Sequence, residues 1–273
     1  MYLIVAIKKL AGEIRKLEIN RSKDLFNAQT GQYLLLKDDN KSKPVCGLIT
    51  EVKTDRILLI IPGKYKEQLS HWSIGDKLSS IAGPYGEAYA IPQNKTVVCI
   101  AEGESALFAY PLVKALNKQK NRVVTLFANV DDHFLFTEEI RKNSLAFHQL
   151  TIDRKKLVDN SLTPYLHEYL KYDQISELFA IGHSNTVKEV LQYVASKPEL
   201  EAKIILNTFV DFEGCIRGMF NVSMSRKSKY ITVDGPDFRS VYQSLEQFVN
   251  RFPSAEKKIR NHELHSEKMV FHK

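Results

Sequence analysis

The feature that most constrains this chain is a change of rhythm at Lys95. Before it, short apolar or alternating runs follow one another at 2–8, 14–19, 33–36, 45–52 and 56–61. Turn signals such as KDDNKSKP and the glycines at 12, 31 and 63 separate them. One helical piece is expected at about 64–71, and the segment closes on two glycine turns, GDKL and GPYGEAY. Evenly spaced strands of this kind predict a small antiparallel barrel. After Lys95 the strand-like TVVCIA, RVVTLFA, AFHQLTI, ELFAIG and KIILNTF alternate with helical stretches. Those stretches begin near residue 105 and at TEEIRKNS, SLTPYLHEYLKYD and NTVKEVLQYVAS. Strands alternating with helices predict βαβ units and a parallel sheet.

The expected plan is therefore a β-barrel plus α/β: an antiparallel flavin-type barrel, then a doubly wound five-stranded parallel sheet. The segments are 1–94, 95–209 and a less regular 210–273. The last holds a glycine-bearing loop (EGCIRG), a hairpin-like run to Tyr230, the turn VDGP and an amphipathic helix near 241–251.

Composition narrows the function. The chain has 273 residues, with 39 Lys+Arg against 32 Asp+Glu, a formal charge of +7. The basic residues are dispersed. The densest run, SRKSKY at 225–230, lacks the exposed aromatics of a nucleic-acid groove. No nucleic-acid role is expected, and a diffuse positive field suits at most an acidic protein partner. Apolar runs fall far short of the ~20 residues that cross a bilayer, so no membrane role is expected. The N-terminal MYLIVAIKKLAGEI lacks a signal-peptide pattern. Three cysteines, at 46, 99 and 215, make neither a disulfide framework nor a zinc pattern. A cytoplasmic location with reduced thiols is the expectation.

The motifs TGQYLLL at 30–36, GDKLSSIAGPYGEAY at 75–89, AYPLVKAL at 109–116, ELFAIGHSNTVKEV at 177–190, LNTFVDFEG at 206–214 and KYITVDGPDF at 229–238 carry a resemblance. Over nearly its full length the chain resembles one branch of the ferredoxin–NADP reductase superfamily. That branch includes the electron-transfer subunit of dihydroorotate dehydrogenase and the small subunit of NADH-dependent ferredoxin–NADP oxidoreductase. The resemblance implies hydride transfer from NAD(P)H to FAD, then single-electron steps to a [2Fe–2S] cluster.

Each implied cofactor meets different residues here. For nicotinamide, the resemblance implies a glycine-rich turn of roughly A-G-G-x-G-x-A-P form at the head of a helix. The chain offers Ala101, Glu102, Gly103, Glu104, Ser105 and Ala106. One glycine, Gly103, remains, with Ser105 as part of a vestigial turn. Two carboxylates stand where phosphate oxygens would lie. Unit charges ~4 Å apart repel by ~1 kcal/mol in water and by ~4 kcal/mol at a partly shielded surface. NAD(P) is not expected, and an acidic first turn capping the helix is the plainer reading.

For the cluster, four thiolates at fixed spacing are needed. Counted back from VDGP, the implied cysteine positions fall on Arg217, Phe220 and Thr232, leaving Cys215 as the loop's one thiol. Three cysteines in the chain cannot supply four ligands, so no [2Fe–2S] cluster and no other metal are expected.

For the flavin, the resemblance implies an R-P-apolar-[ST] segment, matched loosely by Lys43, Pro44, Val45 and Cys46. Its apolar member would pack on the isoalloxazine and its fourth residue would approach N5. A second element, Gly63, Lys64, Tyr65 and Lys66, replaces a hydroxyl pair with two ammonium groups, which are competent phosphate contacts. Either FAD or FMN binds there, or the pocket is packed. Tyr65 decides between them, since its ring either fills the flavin space or stacks on it.

Other polar residues read as structural. His71 beside Trp72 is expected to make a structural contact, and Asp131, Asp132 and His133 to be solvated loop groups. Ser184 and Asn185 after His183 are expected to cap a helix. Three functions stay open. One is a non-catalytic or regulatory relative of the electron-transfer subunit. The second is a working flavoprotein without its own cluster, and the third a small-molecule binding module. The resemblance implies a larger flavoprotein subunit as partner, and residues 212–230 are the expected docking or self-association surface.

Overall fold

The computed structural model describes residues 2–10, 13–39, 43–85, 88–129, 136–151, 162–170 and 175–182, then 189, 190, 193 and 200. From 201 to 242 it describes the backbone of β-strands.

The first sheet holds β1 (Tyr2–Lys9), β2 (Arg15–Asn20), β3 (Tyr33–Lys37), β4 (Val45–Val52), β5 (Arg56–Ile61), β6 (Lys77–Leu78) and β7 (Ser80–Tyr85). Its order is β6-β1-β2-β5-β4-β3-β7, with antiparallel pairings throughout. Ser79 alone separates β6 from β7. One bent strand therefore pairs with β1 by its first half and with β3 by its second, which closes the sheet into a barrel. Closure removes the free edges that would invite aggregation. β4 and β5 are buried along almost their whole length, because both faces are covered.

The helix expected at about 64–71 is instead a single 3-10 turn, Gly63–Tyr65, followed by further turns to His71. The apolar spacing that suggested a helix is real: Tyr65, Leu69 and Trp72 are all buried. Bonds from Lys66 N–H to Gly63 O, from Leu69 N–H to Tyr65 O and from Trp72 N–H to Leu69 O mix two ring sizes, so no regular helix propagates.

The second sheet begins with β8 (Thr96–Glu102), β9 (Arg122–Asn129), β10 (Ala146–Thr151), β11 (Ile175–Gly182) and β12 (Glu201–Leu206). These five are parallel, in the order β10-β9-β8-β11-β12. Between them lie α1 (Ala106–Lys118), α2 (Thr137–Lys142) and α3 (Thr163–Tyr169). The helix expected over NTVKEVLQYVAS lies largely outside the described residues.

Three antiparallel strands extend this sheet: β15 (Asn221–Met224), β16 (Ile231–Gly235) and β17 (Phe238–Tyr242). β13 (Phe209–Phe212) and β14 (Cys215–Met219) form a separate hairpin. Val241 and Tyr242 are thus in a strand paired with β16, not at the start of a helix. Residues after 242 lie outside the described residues.

The barrel and the parallel sheet share one core. α1 packs against β4, and its buried Leu107, Phe108, Leu112 and Val113 join the barrel's Ile49 and Leu59 in one hydrophobic cluster. At this seam the Lys114 ammonium donates to Glu51 at 2.6 Å. Partial burial opposes ionisation of Glu51, but the bond and charge of Lys114 outweigh it and hold the carboxyl below its ordinary range.

Candidate cofactor site

Strand pairing brings the two flavin-type elements together. β4 runs antiparallel to β5 with Leu48 opposite Ile60 and Ile49 opposite Leu59. The start of β4 therefore lies beside the end of β5, where Gly63 begins its turn. Lys64 acts electrostatically on the Cys46 thiol, as this adjacency requires.

The cationic side chains of this pair of elements face water: Lys43, Lys64 and Lys66 are exposed. Pro44 and Gly63 are half-buried. The Lys64 ammonium sits 4.9 Å from the centre of the Tyr65 ring. The groups expected to meet a flavin ring are covered by protein. Val45 is 1% exposed, Cys46 3% and Tyr65 8%, and all three belong to the main core. The cationic members of the two elements thus face water, while the members expected beside a ring are buried.

Burial pushes the Cys46 thiol up to about 12, against the opposing pull of Lys64, and pushes Cys99 up to about 12 as well. At pH 8 the thiolate fraction of each is roughly one in ten thousand, and the thiolate is the nucleophile. Titration of the native protein with a disulfide reagent at pH 8 is therefore expected to modify at most one of the three cysteines rapidly. All three should react once the chain is unfolded. Both thiols are raised above the unfolded value near 8.5. Their contribution to stability is thus full below about pH 8 and lost as pH climbs toward 12.

The second candidate locus lies at the topological switch point, where the strand order reverses between β8 and β11. β8 ends at Glu102, and a 3-10 turn, Gly103–Ser105, leads into α1. Gly103 takes a φ of +55°, a conformation that suits glycine. Glu102 is buried at 7% exposure. Ser105 is fully buried, and its hydroxyl has no hydrogen-bond partner and caps nothing. Glu102 remains in β8 and the first turn of α1 carries no carboxylate, while the side chain of Glu104, in the turn between them, lies outside the described residues. Tyr110 of α1 stacks on Phe136, which precedes α2, with centroids 4.9 Å apart and planes 5° apart. Sequence reasoning missed this pair, since its members belong to separate elements 26 residues apart. Asp131, Asp132, His133, His183, Ser184 and Asn185 lie outside the described residues.

The cluster-type region is described through its backbone. Cys215, Arg217 and Met219 lie in β14, with Phe212 paired to Cys215 and Phe209 to Met219. Thr232 lies in β16 opposite Ser223. Phe220 and residues 225–230, part of the expected docking surface, lie outside the described residues. Among the described residues no group of three or more metal-ligating side chains comes together, and no helix is long and apolar enough to cross a membrane.

No family model matches the chain. Over 254 residues it is 22% identical to a dihydroorotate dehydrogenase B (NAD(+)) electron transfer subunit homolog of Thermotoga maritima, covering 91% of this chain and 89% of that protein. It is 25% identical over 276 residues to an uncharacterized protein from the adh 3′ region of Clostridium beijerinckii, covering 92% and 89%. Among solved structures it is similar to one of the NADH-dependent reduced ferredoxin–NADP oxidoreductase, described for flavin-based electron bifurcation. The TM-score is 0.61 at 17% identity, over 95% of this chain and 98% of that one. Plasmodium falciparum ferredoxin–NADP+ reductase follows the same fold at a TM-score of 0.54 and 15% identity, over 74% and 95%. A barrel closed by one bent strand, joined to a doubly wound sheet, is thus the ferredoxin–NADP reductase fold, and the chain resembles the electron-transfer subunits of that superfamily along nearly its full length.

Proposed function

We propose that this chain is a non-catalytic or regulatory relative of the electron-transfer subunits, keeping their fold without nicotinamide or iron–sulfur chemistry of its own. The observation that carries this reading is the placement of its thiols. Cys46 is buried in the barrel and Cys99 in the middle of β8, so neither can join Cys215 around a cluster. The buried Glu102 at the head of the nucleotide-type turn supports the same reading, because a carboxylate there repels a pyrophosphate. The segments proposed for its parts are 1–94, 95–209 and 210–273. The proposed partner is a larger flavoprotein subunit, docked through residues 212–230, where Arg217 and Met219 are of types enriched at interfaces.

Calorimetric titration with NADH and NADPH tests the proposal. Neither is expected to bind at micromolar concentration, and replacing Glu102 and Glu104 together with glycine should raise the affinity. Micromolar binding to the unmodified protein would overturn the reading.

The convergence of the 43–46 and 63–66 elements favours a second reading, a flavoprotein whose three lysines hold the phosphates of FAD. A flavin would supply hydride acceptance and one-electron steps, and the colour of the pure protein near 450 nm distinguishes the two.

A further inference from the structure

Between Ser105 and Val130 the sequence holds Lys114, Lys118, Lys120 and Arg122 and no Asp or Glu. The fold brings the last three to one place. Lys118 closes α1, Lys120 follows it, and Arg122 opens β9 beside the start of β8. Lys95 joins them, because the Arg122 N–H donates to Lys95 O at 2.8 Å and the Asn94 N–H donates to Gln119 O at 3.3 Å. Asn121 fixes the same platform, its Oδ1 accepting the Lys95 N–H at 3.0 Å. Lys53, just beyond β4, adds a further cation, since it and Lys118 both act electrostatically on Glu51.

Lys53, Lys95, Lys118, Lys120 and Arg122 are all exposed, and none forms an ion pair with a described carboxylate. Glu51 is bonded to Lys114 at 2.6 Å, and Asp55 to the Arg56 guanidinium at 2.9 Å. Glu177 of β11 lies beside Val97, one residue inside the sheet from Thr96. Like charges gathered without counter-charges work against the compact state. The face also lies away from the candidate cofactor elements. Thr96 and Glu102 mark the two ends of β8, about 20 Å apart at ~3.3 Å per residue. Lys53 follows the end of β4 opposite Cys46.

We propose that this amino-end face of the parallel sheet docks an acidic protein partner through Lys53, Lys95, Lys118, Lys120 and Arg122. Charge complementarity selects the occupant. A second copy of this chain, itself at +7, is disfavoured by like charge. All but one of the cations are lysines, compact point charges that pair with scattered carboxylates and lack the planar fork that reads phosphates bidentately. The exposed side chains among them are the amides of Gln93, Asn94, Asn117 and Gln119, not the aromatics on which bases stack. A platform already held by backbone bonds loses little freedom on docking. Its field speeds encounter and weakens as salt shortens its reach. The proposal stands apart from either cofactor reading and from the 212–230 surface.

Poly-L-glutamate titrated at low salt against the full chain and two triple variants tests it. Lys118→Glu/Lys120→Glu/Arg122→Glu reverses three cations of the face. Lys8→Glu/Lys16→Glu/Lys66→Glu reverses three at the other end of the barrel, where Lys8 lies opposite Lys16 and Lys16 opposite Ile60. Both change the net charge equally, so location alone separates them. The polymer is expected to bind the unmodified protein, about tenfold or more weaker to the first variant and within about twofold to the second. A water-soluble carbodiimide should join the bound polymer to Lys95, Lys118 or Lys120, located by peptide mass spectrometry. No binding, or a loss in the second variant equal to that in the first, overturns the face. A DNA duplex of equal charge that binds more tightly through the same three residues overturns the protein partner in favour of nucleic acid. Circular dichroism checks folding. If reversal unfolds the chain, Lys118→Gln/Lys120→Gln/Arg122→Gln replaces it, with a loss expected and undiminished binding overturning the face.

Discussion

Replacing Gly31 with alanine is expected to destabilise the protein by about 2–4 kcal/mol. Gly31 takes a φ of +95°, and a Cβ there would lie 2.8 Å from the Tyr89 ring. A side chain in left-handed backbone costs about 1–2 kcal/mol by itself. The clash adds to this, because the ring cannot simply move. Its hydroxyl donates to Phe108 O at 3.2 Å, and its backbone N–H donates to Thr30 O at 3.2 Å. Gly31 in turn donates its N–H to Ile49 O at 3.0 Å, so the TGQ turn, β4, Tyr89 and α1 are one joint. The melting temperature should fall by roughly 5–15 °C. The cost of Gly31→Ala should shrink when Tyr89→Ala is also present, because the clash is gone and the two changes are not additive. A melting temperature unchanged in Gly31→Ala would contradict the placement of Tyr89.

Asn121→Ala is expected to cost about 1–3 kcal/mol, because it removes three side-chain bonds to the backbone, one buried and two part-buried. Asn121 is 5% exposed. Its Oδ1 accepts the Lys95 N–H at 3.0 Å, and its Nδ2 donates to Pro92 O at 2.7 Å and Leu116 O at 2.8 Å. One side chain thus ties the connection out of the barrel to the end of α1. Urea unfolding should show a lower midpoint with an unchanged slope, the signature of lost stability alone. A midpoint within error of the unmodified protein would show that these bonds exchange for water at no cost.

The two periodicities made the fold legible. The apolar runs TVVCIA and RVVTLFA, followed by helical stretches, read as strands of a parallel sheet, and β8 and β9 pair in parallel. The short runs before Lys95 read as barrel strands and are. Barrel closure was not legible, because it depends on one strand changing partners at Ser79, which no local pattern marks. The 64–71 segment misled because a buried stripe at Tyr65, Leu69 and Trp72 requires only that the chain turn, not that it form a helix. The joints were the least legible part. Asp38 with His71 and Trp72, Asn121 with Pro92, and Tyr110 with Phe136 are separated by tens of residues and joined by single side chains. Such contacts leave no periodic trace. The adjacency of Cys46 and Lys64 follows from the β4–β5 register, so it could be derived once those strands were assigned to one hairpin.

The central claim is that this chain keeps the electron-transfer subunit's fold without the means to hold its cluster. Iron and acid-labile sulfide per chain, measured after anaerobic purification from a host that assembles clusters, tests it most directly. The account predicts neither above background, because four thiolates are needed and two of the chain's three cysteines are buried in separate sheets. Stoichiometric iron and sulfide, with a rhombic paramagnetic resonance signal on reduction, would contradict it.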